Sequence, residues 1–197
     1  MHTPEGLTLR PGWADALRAL HAEPPRRYHT YRHVEEVVER WDEVRRAGFW
    51  DDEVTPWLAA VLHDAVYVAG AHDNEARSAA LVAPFVARWV DGTPDPGPVE
   101  RLILATAGHG ADRALDPQTA LFVDCDLAIL GAPPERFAEY EEQVRAEWEP
   151  IVGATGWATG RRAFVERMLA GRIFASPWFH ERLEDRARAN LTGWLAG

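Results

Sequence analysis

The sequence predicts an all-α protein, a single domain built as a bundle of about eight or nine helices. Apolar residues recur at i, i+3, i+4 and i+7 almost throughout, and no strand-like alternation competes with them. The 197 residues are 47% hydrophobic, enough to bury a substantial core and too few for two independent domains of ordinary size. No internal repeat, glycine-rich linker or strongly biased segment interrupts the pattern.

The elements follow in order. Leu17 and Leu20 mark a first short helix that must end before Pro24-Pro25. A second begins near Thr30, carries Val34, Val37, Val38, Trp41 and Val44 on one face, and stops near Gly48. Thr55-Pro56 reads as an N-cap followed by a first-turn proline, opening a largely apolar and therefore central helix through Trp57, Leu58, Val61 and Leu62. Another helix runs from Asp73-Asn74 to about Val90, with a kink expected at Pro84. Asp91 to Pro98 reads as a loop, after which Pro98 opens a segment from Val99 to Ala107. Asp116-Pro117 starts a helix through Leu130 that Gly131 closes. Three more helices are expected over Pro134 to Ile151, Arg161 to Ala170 and Pro177 to Leu195. The nine tryptophans fall mostly at helical apolar positions and read as core rather than as a base-stacking platform. His21 and His72 sit in proline-rich or polar surroundings and are expected to face solvent.

Composition narrows the chemistry. No basic segment followed by an apolar run opens the chain, and no stretch approaches the roughly 20 apolar residues of a membrane-spanning helix, so a cytoplasmic protein is expected. The single cysteine, Cys125, excludes an internal disulfide and any multi-cysteine zinc cluster. A formal charge of −10 argues against a general nucleic-acid surface, which needs a basic stripe. All 21 basic residues are arginine, so lysine nucleophiles and Schiff bases are ruled out. A small anionic ester remains compatible if a metal ion and a few arginines reverse the field locally.

Four places set metal-capable groups on apolar helices: His29 with His33, His63-Asp64, His109, and Asp124 with Asp126. His29 and His33 share a face if their helix begins early enough, and the valine stripe turns His33 inward. Asp64 follows the apolar run Trp57 to Leu62, where a buried carboxylate is costly unless a cation neutralises it. Asp124 and Asp126 repeat that conflict in a second apolar run. Two histidines and two carboxylates make a mixed N/O site for a divalent transition ion with positions left for water and substrate.

Four blocks then resemble a known family: Arg26-Arg27-Tyr28-His29-Thr30-Tyr31-Arg32-His33; His63-Asp64-Ala65-Val66-Tyr67; Asp73-Asn74-Glu75-Ala76-Arg77-Ser78-Ala79; and Asp124-Cys125-Asp126-Leu127-Ala128-Ile129-Leu130-Gly131. In this order they resemble a subgroup of predicted phosphohydrolases within the HD-domain superfamily, over about residues 10–195. The resemblance implies an HD-type helical bundle and a divalent metal (Mn, Co, Ni, Fe, Zn or Mg) held by His33, His63, Asp64 and Asp126. Asp124 then becomes a carboxylate that either supports a ligand from behind or lies on the substrate side. The Tyr28-His29 block is similar to the opening motif of cyclic-nucleotide phosphodiesterases, which implies His29 as proton donor to the leaving oxygen, although Thr30 stands where those enzymes carry asparagine. His109 is implied at a phosphate or second-metal position, Glu75 as an alternative acid, and Arg32, Asn74 and Glu75 near substrate. The expected activity is metal-dependent hydrolysis of a small phosphate ester such as a nucleotide or other phosphomonoester, by a monomer or homodimer. The alternative is a metal- or nucleotide-binding sensor or partner-binding module that does not turn over.

Overall fold

The computed structural model describes residues 1–108 and 114–197. Among these residues it contains nine α-helices, one short 3-10 turn and a single isolated antiparallel bridge between Leu9 and Val90, so the protein is all-α. No described helix is long and apolar enough to cross a membrane. The chain forms two compact units, Met1–Ala107 and Gly108–Gly197.

The first unit holds α1 (Trp13–Leu20), α2 (Tyr31–Arg46), α3 (Val54–Leu62), α4 (Asn74–Ala79), α5 (Val82–Trp89) and α6 (Pro96–Ala105). α3 is its centre: every residue from Pro56 to Leu62 is buried, and the helix packs on α2 and α6. The predicted stripe of α2 is buried in full, and Arg45 and Arg46 close its last turn, where cations suit the helix dipole. Trp41 donates its indole N–H to the Glu53 carbonyl at 3.1 Å, which ties α2 to the start of α3.

Several boundaries differ from expectation for identifiable reasons. α3 starts before Thr55 because the Asp52 carboxylate accepts the Val54 and Thr55 N–H groups at 2.9 and 3.2 Å, making Asp52 the capping side chain. Pro84 does not kink a long helix. The chain instead breaks between α4 and α5, which leaves Pro84 in the first turn of α5, where its missing N–H is not needed. α6 begins at Pro96 because Asp95 accepts from the Gly97 N–H at 3.1 Å. Only Trp41 and Trp57 of the tryptophans are fully buried, the other seven being partly exposed, as suits a ring with one polar edge.

His21 is buried, not solvent-facing: its Nδ1 bonds the Leu17 carbonyl at 2.9 Å. Burial drives its pKa down to about 4.

The second unit holds α7 (Pro117–Leu127), the 3-10 turn Ala128–Gly131, α8 (Pro134–Ala170) and α9 (Pro177–Ala196). Asp116 caps α7 through the Gln118 and Thr119 N–H groups. α8 is not one rod. Arg161 donates from Nε to Glu141 Oε2 at 3.0 Å, yet 20 residues of straight helix would hold these side chains roughly 30 Å apart. The chain reverses at Gly153, whose φ of 74° lies in the left-handed region that glycine tolerates. The result is a helical hairpin of arms 134–152 and 154–170. The second arm therefore starts well before the expected Arg161.

Two buried carboxylates hold the connection between α8 and α9. Asp124 accepts from Ala175 N at 2.9 Å, Ser176 N at 2.7 Å and the Ser176 hydroxyl at 2.6 Å, while Glu184 accepts from the Ile173 and Phe174 N–H groups. α9 also lies against the 3-10 turn, where Asn190 donates to the Leu130 and Ala132 carbonyls at 2.9 Å each and Arg186 donates to the Gly131 carbonyl. Gly131 permits that approach, because a Cβ there would sit 2.8 Å from Leu183 Cβ and 3.1 Å from the Leu183 carbonyl oxygen.

Two predictions follow from this packing. Gly131→Ala forces α9 outward and costs about 1–3 kcal/mol in urea unfolding, as overpacking does. His21 is neutral in the fold down to about pH 4 but protonates near 6.5 when unfolded. Its contribution is therefore complete above pH 6.5 and fades as pH falls toward 4, by up to about 3 kcal/mol. The difference in unfolding free energy between wild type and His21→Leu should narrow across that window on acidification, and a constant difference would contradict the assignment.

Candidate metal centre

His33 is the third residue of α2, and the stripe that buries Val37, Trp41 and Val44 carries its ring inward until only 2% of the residue is exposed. His63 stands at the C-cap of α3, 1% exposed, and Asp64 follows it directly, mostly buried. Nε2 of His33 lies 3.0 Å from Nε2 of His63, and the two nitrogens lie 3.5 and 3.2 Å from Asp64 Oδ2. Three ligand atoms thus converge on one point, and the group can hold a metal ion.

The donor chemistry fits an ion. Nδ1 of His63 faces the Ala60 carbonyl at 3.0 Å. A carbonyl only accepts, so the proton of neutral His63 belongs on Nδ1 and the Nε2 lone pair points at His33 and Asp64. Lone pairs and a carboxylate that face one another this closely repel unless a proton or a cation lies among them. An ion bound at about 2.0–2.2 Å separates neighbouring ligand atoms by roughly 2.8–3.6 Å at right to tetrahedral angles, a range that contains the observed edges. With protons among the three groups in place of a cation, burial pushes the Asp64 carboxyl up, but the charge of protonated His63, the hydrogen bonds of His33 and His63 and the charge of His29 outweigh it and hold the group well below the usual carboxylate range. Asp64 is therefore available as an anion.

His29 does not share a helical face with His33, because α2 begins only at Tyr31. A ring places it instead. The imidazole stacks on Tyr67 with centroids 3.7 Å apart and planes at 17°, and lies 5.8 Å from the His33 ring. Tyr67 in turn rides on a segment that α4 holds. Asn74 accepts from Val68 N and donates to the Val68 carbonyl, both at 3.0 Å, and Ser78 does the same for Val66 at 3.0 and 3.1 Å. Asn74 and Ser78 are four residues apart, about one turn of helix, and bond the residues on either side of Tyr67 in the strip after Asp64.

The Asn74 amide serves the Val68 main chain, and the Asp73 side chain makes no cap bond to α4. Glu75, beside it, is half-buried in the first turn of α4. Arg32 is half-exposed with its Nε 3.4 Å from Glu36. In the second unit, Asp126 is half-buried on α7, and Asp124 is fully buried with both oxygens engaged by Ala175 and Ser176. Burial raises the Asp124 carboxyl to about 6 against the pull of those donors. His109 lies outside the described residues.

Sequence reasoning missed the roles of Tyr67 and Ser78 and the structural use of Asn74. The spacing of Asn74 and Ser78 was the available signal, since two small polar residues one turn apart on a short helix suit bonding to a passing strip.

Asp64→Ala should weaken Co²⁺ binding by at least about 100-fold, because the ion loses a ligand and its neutralising charge together. His29→Ala should leave that affinity within a few-fold. Calorimetric titration of chelator-stripped protein reads both, and equal losses would make His29 a ligand. No family model matches the chain, and neither the curated proteins nor the solved structures supply a match.

Proposed function

We propose that the protein is a metal-dependent phosphohydrolase of small phosphate esters, a nucleotide or another phosphomonoester being the substrate class. The observation that carries the reading is the convergence of His33, His63 and Asp64, three ligand atoms 3.0–3.5 Å apart in a largely buried setting. Three protein ligands leave positions open on a divalent ion, the arrangement of catalytic rather than structural sites. Once bound, such an ion lowers the pKa of its water and polarises a phosphoryl oxygen.

The chain's own residues supply the rest. Asp64 stays ionised and offsets the charge of the ion. The Ala60 carbonyl keeps the His63 proton on Nδ1 and so keeps Nε2 available. His29 is the proton donor to the leaving oxygen. Stacking on Tyr67 restrains its ring, and restraint matters because a general acid works only within hydrogen-bond reach of the atom it protonates. Glu75 is the alternative acid. The sequence pattern, which resembles that of HD-domain phosphohydrolases, assigns Asp126 as a fourth ligand.

The experiment is a turnover assay on chelator-stripped protein reloaded singly with Mn, Co, Ni, Fe, Zn or Mg, against nucleoside mono-, di- and triphosphates and sugar phosphates. Phosphate release that depends on the metal and vanishes in Asp64→Ala supports the reading. His29→Ala should retain metal but lose about 10²–10⁴-fold in kcat. Asp126→Asn should weaken metal binding, and unchanged binding would remove Asp126 from the ligand set. Tight metal and nucleotide binding without turnover would replace the enzyme with a sensor.

A further inference from the structure

The Arg26 side chain joins both halves of the His33/His63/Asp64 neighbourhood through the main chain. It precedes α2, and its side chain is only 2% exposed. Nη1 donates to the His29 carbonyl at 3.0 Å and the Asp64 carbonyl at 2.7 Å, and Nη2 donates to the Ala65 carbonyl at 3.1 Å. Its guanidinium carbon lies over the Tyr67 ring, 5.9 Å from the centroid. Glu23 Oε2 lies 3.9 Å from Nη2, on a side chain that is 71% exposed.

Burying a guanidinium is costly, and a neutral side chain would cap one carbonyl more cheaply. What a neutral side chain lacks is the planar fork of donors that holds several acceptors at fixed spacing. Here the fork spans the segment that leads into α2, which bears His33, and the turn that follows α3, which bears His63 and Asp64. Its direct electrostatic effect runs the other way: a positive charge this close disfavours a bound cation.

We propose that Arg26 is a positioning residue that sets the spacing of His33 against His63 and Asp64, and of His29 against all three, by clamping the carbonyls of His29, Asp64 and Ala65. This rests on the metal-site reading above. The two effects of Arg26 have opposite signs, so its removal separates them. If charge alone mattered, a neutral replacement would tighten metal binding; if position matters, binding weakens although the repulsion is gone.

The test is Co²⁺ titration of the full chain, following the visible d–d absorption, for wild type, Arg26→Gln and Arg26→Lys. Thermal melting of the chelator-stripped proteins is recorded alongside. Both variants should bind Co²⁺ about 10–100-fold more weakly, the range found when groups that orient ligands are removed. Their d–d band should change in position or intensity, while the stripped melting temperature stays within a few degrees of wild type. Arg26→Lys is the sharper variant, since it keeps the charge and loses the fork. Unchanged or tighter binding in Arg26→Gln overturns the proposal. So does a stripped melting temperature far below wild type in both variants, which would make Arg26 a residue of the fold alone. If wild type binds Co²⁺ and His63→Ala does not, but the Arg26 variants match wild type, only the positioning role falls. If wild type binds no stoichiometric Co²⁺, the metal reading falls and this proposal with it.

Discussion

The hydrogen bond between His63 Nδ1 and the Ala60 carbonyl does two jobs at one place. Carbonyls in the last turn of a helix lack partners within the helix. α3 is buried from Pro56 onward, so water cannot readily supply one at its end. The His63 side chain fills the gap and closes the helix. The same bond consumes the one ring proton of the neutral imidazole, which leaves Nε2 as a lone pair aimed at His33 and Asp64. Helix termination and ligand preparation are a single event, and the geometry of the site follows from where α3 stops.

Around that point the first unit is organised by main-chain carbonyls and N–H groups rather than by side-chain pairs. α4 is only six residues long, yet Asn74 and Ser78 both bond to the strip after Asp64. Through the strip they fix Tyr67, and through Tyr67 the ring of His29. Within their motif Asn74 and Ser78 thus shape the loop that carries Tyr67.

Much of this was legible in the sequence, and the reason is energetic. A histidine on the apolar stripe of α2 and an aspartate after the apolar run of α3 are conflicts that a fold must resolve, and such conflicts mark sites. Asp124 shows a second way to resolve such a conflict, because a buried carboxylate can be satisfied by N–H groups from a distant loop as well as by an ion. Nothing in the local sequence distinguishes those outcomes. The role of Arg26 has no local sign in its motif, since its partners are carbonyls and every residue has one. Helix ends were blurred where a capping aspartate sat one or two positions ahead of a more conspicuous proline or threonine, as Asp52 and Asp95 do.

The reversal of α8 at Gly153 also changes the effective length of the chain. Asp124 and Ser176 are 52 positions apart, and closing so long a loop exacts an entropic toll on the unfolded ensemble. Glu141 and Arg161 are separated by only 20 positions and meet within a local hairpin. Once they have met, the residues between them no longer belong to the loop that Asp124 must close. The hairpin is a short circuit in the chain, and any turns added to its two arms in matched pairs would lengthen the protein while leaving that closure unchanged.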